Sequence, residues 1–145
     1  MPQSPVAQGN LNRLLASIAC ADLPELNVIS GYLAPEAIRL AFDDNATDLL
    51  PTMTGMVTSP KPYQGVTLTI SLVKSTPLAN TYKRQFENTT LVGGVMVIPD
   101  ASNIDPFPLL NMTLETIREM NLGGTEAAFV VTMRGYRAVN QGFFG

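Results

Sequence analysis

Few side chains in this chain could do chemistry, and their types and spacing lead away from catalysis. Asp43-Asp44 could hold a metal ion or share acid–base work, yet the pair reads best as a solvated turn. Cys20 lies in an apolar run and reads as a buried, inert thiol. Asp100 and Asp105 flank a turn containing Ser102, Asn103 and Pro106, where capping and turn roles account for them. Gly93-Gly94 lacks the third glycine and the Lys-Ser/Thr pair of a phosphate-binding loop. The chain has no histidine, which removes the commonest general base and the best transition-metal ligand. One cysteine cannot build a thiolate zinc site. No catalytic, metal or cofactor-binding residue is therefore assigned, and the expected role is not enzymatic.

Composition points towards association. Hydrophobic residues make up 46% of the 145 residues and charged residues 14%. A soluble domain usually carries about a quarter charged residues. The shortfall implies that part of the surface is covered by neighbouring copies. Net charge is −3 and the pI about 4.8, so phosphate backbones and anionic membranes gain nothing by approaching. No run of about 18 apolar residues predicts a transmembrane helix, and no basic region followed by an apolar run marks a secretion signal. Without that signal the Asn-x-Thr triplets at Asn45, Asn88 and Asn111 read as chance, and a lone cysteine suits a reducing cytosol.

The elements follow from periodicity within one expected domain, 1–145. Residues 1–10 read as a flexible tail. Residues 11–21 fit a helix, through Leu11, Leu14, Leu15 and Ile18, or a strand apolar on both faces. Residues 36–42 alternate as a half-buried strand. The segment 44–64 reads as a long loop holding Pro51, Gly55, Pro60 and Pro62, with possible strand near 52–58. Residues 65–73 give the strongest strand, with Val66, Leu68, Ile70 and Leu72 against Thr67, Thr69 and Ser71. Residues 76–88 predict a helix with Thr76 as cap, Pro77 in the first turn, and Leu78, Tyr82 and Phe86 on its buried face. Residues 95–98 read as a strand buried on both faces. Residues 110–115 and 127–139 read as a hairpin, and Phe143 and Phe144 as aromatics that dock onto something. The sum is six or seven strands and one helix: a mainly β protein, an antiparallel sandwich or barrel with a flanking helix.

Read from the middle outward, the chain resembles the tail tube proteins of contractile-tailed bacteriophages. The resemblance is carried by Thr52-Met-Thr-Gly-Met-Val-Thr-Ser-Pro-Lys-Pro-Tyr-Gln64, the alternating strand after it, and Pro77-Leu-Ala-Asn-Thr-Tyr-Lys-Arg-Gln85. Residues 95–100 and 109–115 and Val130-Val-Thr-Met-Arg-Gly-Tyr136 continue it, so that it covers most of residues 11–140. It implies hexameric rings of this chain that stack into a hollow tube inside a sheath. The lumen would be a β-barrel shared by the ring, through which DNA passes without specific binding. Such a protein belongs to the virion tail, is assembled in the host cytoplasm, and meets the sheath protein and baseplate, initiator and terminator proteins, with no membrane anchor. A tube initiator or terminator is the neighbouring possibility. A small β-barrel that binds a ligand or peptide is a different class.

The resemblance also turns 11–21 towards strand and segment 44–64 towards the adjacent ring. The inter-ring candidates are Pro51, Met53, Met56, Val57, Pro60, Pro62 and Tyr63. That segment is expected to be mobile in the free subunit and ordered in the tube. The polar rows Thr67, Thr69, Ser71 and Asn111, Thr113, Glu115 are candidates to line the lumen. Lys83, Arg84 and Glu87 are candidates to face the sheath.

Overall fold

The structure is a computed structural model that describes residues 8–117 and 120–144. Residues 1–7 of the expected tail lie outside the described residues. In chain order the elements are β1 (Ser17–Cys20), β2 (Leu33–Phe42), β3 (Thr47–Pro51), β4 (Met56–Pro60), β5 (Tyr63–Val73), α1 (Pro77–Asn88), β6 (Leu91–Ile98), β7 (Phe107–Thr116), β8 (Ala128–Ala138) and α2 (Gln141–Phe144). Eight strands thus stand among the described residues, where sequence periodicity gave six or seven. Six form one antiparallel sheet in the order β1-β6-β7-β8-β5-β2, and β3 pairs with β4 alone. The larger sheet curls into a half-barrel with a helix against it.

Strand β5 is central because its alternation satisfies both sides of the sheet. Val66, Leu68, Ile70 and Leu72 are buried on the core face, while Thr67 and Thr69 are half-buried on the other. β8 repeats this with Phe129, Val131 and Met133, paired to β5 without a register break from Tyr63–Ala138 to Val73–Ala128. α1 packs on β5 and on the turn Pro24–Leu26. It buries Leu78, Ala79 and Tyr82, and the Tyr82 hydroxyl donates to the Leu26 carbonyl at 2.6 Å.

Several expectations are corrected. Within 11–21 only Ser17–Cys20 is strand; residues 13–15 form a turn, with Leu15 N–H donating to Asn12 O at 3.1 Å. Thr76 sits before α1, but its hydroxyl donates to Val73 O at 2.7 Å and makes no side-chain cap. Phe86 is half-buried, because it lies at the rim of the core. β6 is buried on one face: Val95 and Val97 point inward, and Met96 is exposed opposite Pro108.

Segment 44–64 is regular structure. Its prolines stand at strand ends, Pro51 opposite Met56 and Pro60 opposite Thr47, where a missing N–H costs little. Thr52 N–H donates to Gly55 O at 2.7 Å and closes the turn between β3 and β4. The expected loop is a β-hairpin arm.

Strand β7 carries a bulge that shifts its faces. Leu110 pairs with Tyr136 and Thr113 with Arg134, so Asn111 and Met112 together oppose Gly135. Asn111 takes φ 49°, a region asparagine tolerates better than most residues. A Cβ on Gly135 would lie 2.7 Å from Leu110 O and collide with Met112 Sδ, so the close approach requires glycine.

Candidate assembly surface

The β3–β4 arm joins the rest of the chain through a polar base. Asn140 occupies the left-handed region at φ 54° and is half-buried. Its Nδ2 donates to Ala46 O at 3.0 Å and to Lys61 O at 2.8 Å, one carbonyl on each leg of the arm. The legs are themselves joined by Lys61 N–H to Ala46 O at 2.9 Å. Gln64 Nε2 donates to Asp44 O at 2.8 Å, and Arg137 Nε donates to Gln64 Oε1 at 3.0 Å. The Arg137 guanidinium lies 4.3 Å from the Phe42 ring centroid, within cation–π range. None of Asn140, Gln64 or Arg137 was legible as a site residue. The sole hint was an asparagine, a residue that tolerates positive φ, just before an aromatic terminus.

Beyond that base the arm is apolar and open to solvent. Met53 is fully exposed, and Leu49, Leu50, Met56 and Val57 are each at least half exposed. Of the inter-ring candidates, Pro51, Met53, Met56 and Val57 lie on this arm and Pro60 closes it half-buried. Pro62 and Tyr63 lie beyond it. Tyr63 belongs to β5 and meets Tyr136 edge-on at 5.8 Å, so it is part of the sheet. Phe143 and Phe144 are exposed and pack on each other at 5.0 Å.

The sheet's two edges differ. On β1, Ile18 exchanges both backbone hydrogen bonds with Val28 at 2.9 Å, and Cys20 N–H donates to Asn27 Oδ1 at 2.7 Å. That edge is closed within the chain. β2 at the other end has no further strand beside it among the described residues. Between β2 and the β6 end lies an apolar groove of about 720 Å³, bordered by Leu14, Leu33, Ile38, Leu40, Val97 and Phe107.

The non-core face of the sheet holds the lumen candidates. Thr67, Thr69, Asn111, Thr113 and Glu115 are half-buried or exposed there, but Ser71 is buried and cannot line a channel. Arg134 is flanked by two carboxylates, its Nη2 3.5 Å from Asp43 Oδ2 and its Nε 3.2 Å from Glu115 Oε2. Thr67 Oγ1 donates to the same Asp43 oxygen at 2.5 Å. The Asp43 N–H donates to Gly65 O at 2.9 Å, so Asp43 continues the β2–β5 pairing and anchors to the sheet where a solvated turn was expected. These groups border a shallow depression of about 910 Å³ with Thr132 and Glu126. Asn111 Nδ2 donates to the Tyr136 hydroxyl at 3.2 Å.

Lys83, Arg84 and Glu87 are all exposed on α1. Lys83 pairs with Glu87 at 2.6 Å, an exposed i,i+4 pair contributing about 0.3–0.5 kcal/mol. Cys20 is buried and its thiol is pushed up to about 11, first by burial and then by Glu25. Among the described residues no group of three His, Cys, Asp or Glu side chains is arranged to hold a metal ion, and no helix is long and apolar enough to cross a membrane.

No family model matches the chain, and no curated relative matches it. Among solved structures it is similar to a cryo-EM structure of the anti-feeding prophage cap, described as the AFP tube terminating cap. The two share 10% identity at a TM-score of 0.45, over 94% of this chain and 92% of that one. Similarity at this level speaks to neither role nor partners.

Proposed function

We propose that this chain is a structural subunit of a contractile-tail-like particle, and that it works by assembling with copies of itself. The observation carrying this is the β3–β4 arm: a two-stranded hairpin with no core of its own that presents Leu49, Leu50, Met53, Met56 and Val57 to solvent. An isolated hairpin is marginal in water. Exposed apolar surface of this kind gains free energy when a partner covers it, and methionines adapt to an uneven partner.

In the tube reading, rings stack through the arm, the sheath protein meets Lys83, Arg84 and Glu87, and the non-core face lines the lumen. Charge on that face suits passing DNA. Arg134 is the cation best placed to grip a phosphate there, and Asp43 and Glu115 already flank it. A phosphate would have to displace a carboxylate, so little counterion release rewards binding.

A second reading, a tube initiator or terminator, draws on the β1 edge. Asn27 and Val28 already satisfy it, and a subunit with one closed edge does not extend its sheet on both sides. Negative-stain microscopy of the purified chain separates the two. Open-ended tubes support the tube subunit, and isolated rings support the initiator or terminator. Monodisperse single subunits at high concentration would overturn both and leave the ligand-binding barrel.

A further inference from the structure

We propose that Asn140 is a positioning residue that fixes the β3–β4 arm at one angle to the sheet and joins the arm to the C-terminal aromatic turn as one docking unit. The proposal rests on the assembly reading above, and the partner it implies is a second copy of this chain.

Three observations carry it. The Asn140 amide is used up on the arm, one N–H to each leg, at Ala46 O and Lys61 O. Its own carbonyl accepts from Phe143 N–H at 3.0 Å and Phe144 N–H at 3.1 Å, which holds the short helix α2. Its neighbour Val139 donates through N–H to Pro62 O at 3.1 Å, just past the arm. One half-buried residue thus connects two exposed apolar features far apart in sequence. The arm and the Phe143–Phe144 pair cannot reorient independently while these bonds last. A docking surface fixed before contact loses less freedom on binding than one ordered by it.

The backbone explains why asparagine stands here. At φ 54° most side chains are strained, and asparagine is among those that adopt this region more readily. Two variants keep the backbone permissible and remove the donors. Asn140→Gly tolerates the positive φ and has no side chain. Asn140→Asp keeps the shape but offers acceptors to two carbonyls that need donors.

The test is a distance measurement on the dilute, unassembled full chain. Spin labels are placed at Met53→Cys on the arm tip and Arg84→Cys on α1, with the buried Cys20 replaced by Ala. The Asn140 parent should give one narrow distance distribution, and both variants should broaden it. In unlabelled protein the concentration for half-assembly should rise about tenfold in both variants, as expected when roughly one subunit in ten holds the arm in its docking pose. An unchanged distribution in either variant overturns the proposal, whatever assembly does. If the variants broaden the distribution and the parent never assembles, the positioning role stands and the assembly reading fails.

Discussion

The Leu26 carbonyl receives two buried donors, the Tyr82 hydroxyl at 2.6 Å and the Cys20 thiol at 3.9 Å. Removing the stronger one, Tyr82→Phe, leaves the weak thiol contact. We expect a loss of about 1–2 kcal/mol in urea unfolding, the range for a buried hydrogen bond whose acceptor is partly stranded. The same two groups set an alkaline limit. Burial raises both above their ordinary values, Cys20 from 9.0 to about 11 and Tyr82 further still. The folded chain then keeps protons that the unfolded chain releases, so stability is intact below pH 9 and falls as pH rises through 11. Unfolding midpoints should drop between pH 8 and pH 10.5, and the drop should shrink in Cys20→Ala. Native Cys20 should resist alkylation at pH 8 and react once the chain unfolds; rapid native alkylation would show that the site is open.

At the scale of elements, two faces make opposite forecasts. Phe86 is half-buried at the edge of the core. Phe86→Ala should therefore cost about 2 kcal/mol in thermal or urea unfolding, roughly half of what a fully buried phenylalanine costs. The arm should behave otherwise. Leu50 and Val57 are cross-strand partners, and both are exposed. Leu50→Asp combined with Val57→Lys keeps a favourable cross-strand pair, so it should move subunit stability by under about 1 kcal/mol, as surface changes do, yet abolish assembly. Limited proteolysis complements this: the exposed turn 52–55 at the arm tip should be cut in free subunits and shielded in assembled ones, while the paired strands beside it stay intact in both. Equal cleavage in both states would send the search for the stacking contact to Phe143 and Phe144.

These elements also show what the sequence made legible. The strict alternation of 66–72 and the i, i+4 spacing of Leu78 and Tyr82 located β5 and α1, because each has one buried and one wet side. The arm has no buried side, so Thr47–Pro51 and Met56–Pro60 carry no apolar alternation, and the prolines that mark their strand ends read as loop residues. The shift in β7 depends on Asn111 adopting positive φ against Gly135, a matter of pairing that one strand does not record. The arm's base was hidden for the same reason: Asn140 reaches across 94 residues to Ala46.

For the whole molecule, the balance lies between a sufficient core and a surface left unfinished. A single cluster from Ile18 to Met133 holds the half-barrel and α1 together. Outside it stand the arm, the Phe143–Phe144 pair, the β2 edge and the apolar groove beside it, each costly to leave in water. Sedimentation velocity of the purified full chain over a wide concentration series tests self-assembly most directly. A self-assembling subunit gives a boundary that moves to much larger species as concentration rises. One boundary at the 15.6 kDa monomer throughout the series would contradict self-assembly.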